Sequence, residues 1–162
     1  MSAEVTFRRA ERRDLAAILD LLADDEIARA RSAVGLAANG TPAADTRREA
    51  VIAAFEAIDA DPRNELVVAD EGGEVVGTCQ LTFIPGLSRG GTERMTIEAV
   101  RVRADRRGRG VGRRMMAYAI ARGRDRGCGL AQLTTDKRRV DAHRFYEALG
   151  FVASHEGMKL PL

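Results

Sequence analysis

Between Val100 and Arg114 the chain changes character three times, reading Val-Arg-Val-Arg-Ala-Asp-Arg-Arg-Gly-Arg-Gly-Val-Gly-Arg-Arg. An alternating stretch suits a strand. A glycine- and arginine-rich turn follows, and Gly110 to Arg126 has the spacing of a helix, with Val111, Met115, Ala119 and Arg122 in one row. A turn that enters a helix leaves the first backbone N–H groups without intrahelical acceptors. Those groups and the positive end of the helix dipole form an anion site, which suits a pyrophosphate. The arginines add planar donors for phosphate oxygens.

The glycine spacing narrows the ligand. Gly108, Gly110 and Gly112 alternate. A dinucleotide fingerprint needs a glycine or alanine where Arg113 stands. A Walker loop needs Lys-Ser/Thr where Arg113 and Arg114 follow Gly112. Both of those readings are weak. The charge balance is nearly even, 26 basic against 24 acidic side chains, so the basic character is local to this segment. That favours one anionic ligand over a surface tracking nucleic acid.

A chain of 162 residues suits one compact domain, 1–162. Cys79 and Cys128 belong to no Cys-x-x-Cys pattern, and with two histidines no metal constellation is visible. The polar start, Met1 to Arg13, lacks the apolar core of a signal peptide, and no run reaches membrane-spanning length. The expected compartment is the cytoplasm, with no membrane and no nucleic acid among the partners.

Along the chain, Val5 to Arg9 predicts a strand. Asp14 predicts a helix cap ahead of Leu15, Ile18, Leu19 and Leu22. Ala28 to Asp45 reads as a loop or broken helix, and Thr46 to Ala60 as a helix ended by Asp61-Pro62. Glu65 to Ala69 and Val75 to Ile84 predict a hairpin around Glu71-Gly72-Gly73. Pro85 to Gly91 is a loop, and Thr92 to Arg103 a long strand with room for a bulge near Glu98-Ala99. Leu130 to Thr134 is a short strand, and Val140 to Leu149 a helix stopped by Gly150. Phe151 to Ala153 and Met158 to Leu160 are expected to close the sheet. This order favours an α/β (α+β) sandwich around one sheet.

Ala142-His143-Arg144-Phe145-Tyr146-Glu147-Ala148-Leu149-Gly150-Phe151 carries a second motif. Ala142, Phe145, Tyr146 and Leu149 share a helical face. Phe145 and Phe151 suit core packing, whereas a buried phenol needs a partner or a task. The pattern Arg107-x-x-Gly110-x-Gly112, followed by Ala-x-x-Phe-Tyr-x-x-x-Gly-Phe, resembles the GCN5-related N-acetyltransferase (GNAT) superfamily. The resemblance runs from Val5 to Leu160.

That resemblance implies a single domain with a mixed, splayed sheet of about seven strands flanked by about four helices. It implies acetyl-CoA as cofactor and coenzyme A as product, held between the strand ending at Arg103 and the strand starting near Leu130. By the same resemblance, Val100 and Val102, with Arg101 between them, pair with the pantetheine arm. Arg107, Gly108, Arg109, Gly110, Val111 and Gly112, with Arg113 beyond them, hold the pyrophosphate. Tyr146 protonates the departing thiolate. Where the family often has an asparagine contacting pantetheine, this chain has Asp136 and Asp141; Asp141 and Phe145 complete the expected cofactor site.

The implied reaction is transfer of an acetyl group from acetyl-CoA directly to a primary amine of a small molecule or peptide. The amine must first lose its proton, since an alkylamine has a pKa of about 10.4. Glu98 is the candidate base, with Glu93, His143 and His155 behind it. Without a bulge, alternation puts Glu98, Val100 and Val102 on one face; a bulge at Ala99 turns Glu98 away. The alternative function is a non-catalytic acyl-CoA-binding or sensing domain, which needs the glycine loop but neither Tyr146 nor Glu98. In the family the acceptor pocket comes from segments matching Ala28 to Asp45 and Pro85 to Gly91. Their Arg29, Arg31 and Arg89 suggest an acceptor bearing a carboxylate or phosphate. A homodimer is expected from the family.

Overall fold

The computed structural model describes residues 4–24 and 44–162. One five-stranded sheet runs in the order β1 (Val5–Arg9), β2 (Asn64–Glu71), β3 (Glu74–Ile84), β4 (Arg94–Val102) and β5 (Leu130–Leu133). The first four strands are antiparallel, and β5 joins β4 in parallel. Helices α1 (Leu15–Ala23) and α2 (Ala44–Ala60) pack on one face. Helices α3 (Val111–Asp125) and α4 (Val140–Glu147) pack on the other.

The two faces follow from strand alternation. Val67, Cys79, Leu81, Phe83, Met95 and Ile97 point towards α3 and meet Met115, Met116 and Ala119. Val68 points the other way, to Ala10, Ile18 and Phe55. Each large side chain buried here contributes roughly 1.5–3 kcal/mol by leaving water. The expected helical row of α3 is confirmed at Val111, Met115 and Ala119, all buried. Arg122, the fourth of that row, donates through Nε to Glu65 Oε2 at 3.0 Å.

Two details of α1 differ from the sequence reading. Leu21 is buried while Leu19 is exposed, so the apolar stripe is rotated by part of a turn. Asp14 sits at the helix start but its carboxylate makes no side-chain cap to α1. It instead accepts from the Glu11 backbone N–H and from both terminal nitrogens of Arg8, at 2.7 and 3.0 Å. Asp70 accepts from the same guanidinium. Asp14 is almost wholly buried, and the Arg8 guanidinium holds its carboxyl below the usual carboxylate range.

Among the described residues the sheet has five strands where about seven were expected. Phe151 to Ala153 and Met158 to Leu160 do not pair with the sheet. Phe151 packs on the core. Beyond it the alternation continues outside the sheet, and Val152, Met158, Leu160 and Leu162 are all largely exposed. A Lys137–Glu156 ion pair holds this segment near the end of β5. The expected loop or broken helix at Ala28 lies outside the described residues up to position 43. The loop before β4 holds one left-handed turn, Ser88–Gly91, in which Arg89 has φ 55°.

Candidate functional site

The glycine loop is a rigid entry to α3. Gly108 and Gly110 have φ 74° and 81°, and Gly110 occupies the helix N-cap. A side chain at either position meets the left-handed penalty, roughly 1–2 kcal/mol. Gly112 has an ordinary backbone but lies under Phe145 and Val102; a Cβ there would stand 3.5 Å from the Phe145 ring. The backbone N–H groups of Val111, Gly112 and Arg113 precede the first intrahelical bond, which Arg114 N makes to the Gly110 carbonyl at 3.0 Å. They therefore face out of the loop as a cluster of donors.

The crowded arginines divide into two groups. Arg103 pairs with Asp105 and Glu74, and Arg106 pairs with Glu71 and Asp105, so both pin the loop to the β2–β3 hairpin. Arg114 donates to the Val5 carbonyl at 2.6 Å. Arg107 folds back: its Nε donates to the Val102 carbonyl at 2.9 Å and its Nη2 to Asp24 at 3.2 Å. Arg109 and Arg113 are exposed beside the outward N–H groups.

Next to this loop the sheet opens. Strands β4 and β5 pair only from Arg94 to Ile97 against Leu130 to Leu133. From Glu98 onward β4 keeps β3 on one side while β5 has ended. At the same point β4 carries a bulge. Gln80 opposes Glu98 and Thr78 opposes Arg101, so Ala99 and Val100 together face Cys79. Ala99 has φ 53°, unusual for a residue with a side chain. The extra residue reverses the alternation. Val100 and Val102 turn to the α3–α4 core, while Glu98 is exposed on the opposite face. The shared face that unbroken alternation offers is thus replaced by a division across the sheet.

Tyr146 stands on the α3–α4 side of this opening. The Phe-Tyr-x-x-x-Gly-Phe pattern is a helix stop of Schellman type: Phe151 N donates to the Tyr146 carbonyl at 3.1 Å and Gly150 N to Glu147 at 2.9 Å. Gly150 has φ 92°. The same turn brings the Phe151 ring edge-on to Tyr146, with centroids 6.0 Å apart, and Phe145 packs on it at 5.2 Å. Tyr146 is thereby fixed in position. Burial pushes its phenol above the ordinary tyrosine pKa, with Arg101 and Arg139 opposing that shift by their charge. It is a neutral O–H at physiological pH.

The remaining sequence candidates fall elsewhere. Glu93 is held by Arg126 at 2.6 and 3.3 Å, which keeps its carboxyl below the usual range and makes it a poor base. His143 Nε2 lies 3.1 Å from the Asp136 carbonyl oxygen, and His155 Nδ1 lies 2.7 Å from the Ser154 hydroxyl on the surface. Asp141 is exposed in the first turn of α4. Burial pushes the Cys79 thiol up to about 12, which makes it inert. Among the described residues no group of His, Cys, Asp or Glu could hold a metal ion, and no helix is long and apolar enough to cross a membrane.

Sequence reasoning passed over the surface around Glu98. Register places Asn64, Thr82, Thr96 and Gln132 in one row across four strands, on the face that Glu98 shares. Thr82 Oγ1 donates to Asn64 Oδ1 at 2.9 Å, and Gln132 Nε2 donates to Thr96 Oγ1 at 3.2 Å. The signal was present as polar residues at every second position of Gln80-Leu81-Thr82 and Thr96-Ile97-Glu98.

The residues fit a long phosphorylated thioester: outward N–H donors at the loop, an unpaired β4 edge, and an opening between the strands. Residues 16–151 match the acetyltransferase (GNAT) family model. The chain belongs to that family of acetyltransferases. It is similar to an aminoalkylphosphonate N-acetyltransferase of Salmonella typhimurium, 35% identical over 95 residues. That match takes in 59% of this chain and 61% of that protein's length. A transcriptional regulator from Bacillus halodurans has a crystal structure with TM-score 0.86 and 44% identity, over 97% of this chain and 99% of that one. Aminoglycoside N-acetyltransferase AAC(6')-Iy in complex with CoA shares the fold at 17% identity, TM-score 0.76, over 99% of this chain and 95% of that one.

Proposed function

We propose that this protein transfers the acetyl group directly to the primary amine of a small molecule, with Tyr146 and Glu98 acting from opposite faces of the β4–β5 opening. The observation that carries this reading is that Tyr146 and Glu98 lie on opposite faces of the sheet where β5 ends and β4 continues alone. Acetyl-CoA supplies the activated acetyl group. Gly108 to Arg113 hold its pyrophosphate through backbone N–H groups, with Arg107, Arg109 and Arg113 adding charge. Val100, Arg101 and Val102 offer the strand edge to the pantetheine arm, bordered by Phe145 and Asp141. The backbone N–H groups freed by the bulge polarise the carbonyl as negative charge grows on its oxygen. Glu98 takes the amine proton, directly or through water, and the Tyr146 Oη–H gives a proton to the departing sulfur.

The aminoalkylphosphonate enzyme supports a small amine as acceptor, since that is the substrate class its name states. A peptide amine is the broader form of the same reading. We assign residues 1–162 to one catalytic domain working in the cytoplasm, which two free cysteines support. A homodimer is supported by the exposed apolar side chains beyond Phe151 beside the outer edge of β5.

The test is thiol release from acetyl-CoA with a panel of primary amines, run beside a thermal-shift titration with acetyl-CoA. Binding with amine-dependent release supports the reading. Binding with no release from any amine assigns the chain to the sensing alternative. Absence of a shift at millimolar acetyl-CoA overturns the loop assignment.

A further inference from the structure

The polar face that holds Glu98 has a charge gradient. Arg94, Thr96 and Glu98 project from the same side of β4. Successive residues on one strand face are about 6.8 Å apart, so Arg94 and Glu98 lie about 13–14 Å apart at their backbones. Between them runs the uncharged row of Asn64, Thr82, Thr96 and Gln132. This strip is therefore cationic at Arg94, neutral and hydrogen-bonding in the middle, and carries Glu98, with Arg101 beyond the bulge, beside the opening.

Arg94 also differs from the other arginines of the sheet. Arg8 meets Asp14 and Asp70, Arg9 meets Asp59, and Arg103 meets Asp105 and Glu74. The cross-strand neighbours of Arg94 are Ile84 and Leu130, which offer no carboxylate. Its side chain is exposed, and the apolar pair flanks its stem. Arg101, on this face beyond the bulge, donates to the Val100 carbonyl at 2.8 Å.

We infer that Arg94 is the specificity residue of the acceptor site and that the acceptor is a short zwitterion: a primary amine at Glu98 and a phosphonate, phosphate or carboxylate at Arg94. This rests on the proposed acetyl transfer to an amine. The planar guanidinium makes paired hydrogen bonds to such an anion. An arginine side chain leaning along the strand towards Glu98 would shorten the gap to that of a two- or three-carbon spacer. Thr96 and Gln132 lie beneath the ligand and accept or donate hydrogen bonds along its length. The strand order then dictates orientation, because a reversed ligand would set its anion against Glu98 and its ammonium against Arg94.

The probes are 2-aminoethylphosphonate, O-phosphoethanolamine, β-alanine and, as the uncharged comparison, ethanolamine. They are measured with the full chain and with Arg94→Ala and Arg94→Lys. Calorimetric binding in the presence of CoA is measured beside thiol release. The expected result is that Arg94→Ala raises KM for the anionic amines about 10- to 100-fold, as loss of a charge-assisted pair does. In that result kcat is nearly constant, KM for ethanolamine is unchanged, and Arg94→Lys restores part of the affinity. The three anionic probes distinguish phosphonate, phosphate and carboxylate. Equal KM changes for charged and uncharged amines overturn the inference, as does binding of the anionic probes that ignores Arg94. Arg94-dependent binding without thiol release supports the anion site and overturns the transfer reading. Release that is independent of Arg94 does the reverse.

Discussion

Tyr146 combines three constraints: a helix-terminating turn behind it, two aromatic edges against it, and a phenol whose ionisation burial suppresses. Replacement by phenylalanine keeps the ring packing and removes only the hydroxyl. Tyr146→Phe is expected to lower kcat about 100-fold or more, the usual size of a lost general acid, with KM for acetyl-CoA unchanged. Steady-state kinetics checks this, and an unchanged kcat removes Tyr146 from the mechanism. Glu98 has the opposite setting, exposed on the polar face. Glu98→Gln is expected to lower kcat/KM and to abolish the ionisation that reports the base in its pH profile. A profile identical to that of the parent would assign amine deprotonation to water. The tyrosine was legible in the sequence because its surroundings are local: Phe145, Gly150 and Phe151 lie within five residues of it. The fate of Arg103, Arg106 and Arg107 was not, because Glu74, Glu71 and Asp24 reach them from the β2–β3 hairpin and the end of α1.

At the scale of elements, two glycines define where helices end and begin. Gly150 at φ 92° lets α4 terminate so that Phe151 folds onto Tyr146. Gly150→Ala is expected to cost about 1 kcal/mol and to lower kcat by loosening Tyr146, read by chemical denaturation beside kinetics. Gly110 at φ 81° starts α3. Gly110→Glu adds both strain and a negative charge where N–H donors converge. It is expected to abolish the acetyl-CoA thermal shift while leaving the circular dichroism spectrum intact. Both elements were readable, since glycine position and apolar spacing are properties of short windows. The closing strands were not: Met158-Lys159-Leu160 has strand alternation, yet it lies outside the sheet. Alternation reports which residues share a face, and a partner edge must come from elsewhere in the fold.

For the whole molecule, the ion cluster of Arg8, Asp14 and Asp70 links the first strand to the β2–β3 hairpin. Both carboxyls have lowered folded pKa values, Asp14 chiefly through Arg8 and Asp70 chiefly through the Gly73 backbone N–H. A depressed folded pKa contributes stability that is complete above the unfolded carboxylate value, about 3.9, and is lost as pH falls through the folded value. The melting temperature is therefore expected to be level from neutrality to about pH 5 and to fall below about pH 4. Asp14→Asn should flatten that fall and lower stability at neutral pH, measured by calorimetry across the range. Truncation after Phe151 removes the exposed apolar side chains. Light scattering is expected to show the truncated chain as a monomer where the full chain is a dimer.

The Ala99 bulge also makes β4 one residue longer than its pairing requires. Removing Ala99 would leave Ile97 facing in, Glu98 out, Val100 in, Arg101 out and Val102 in, which is the arrangement already present. A chain shortened by that single codon should therefore fold and retain its hydrophobic pattern. It would lose the bulge to which the proposed transfer assigns polarisation of the carbonyl. Most catalytic residues cannot be deleted without wrecking the strand that bears them; here the sheet carries a removable spacer, and subtracting it separates having the fold from using it.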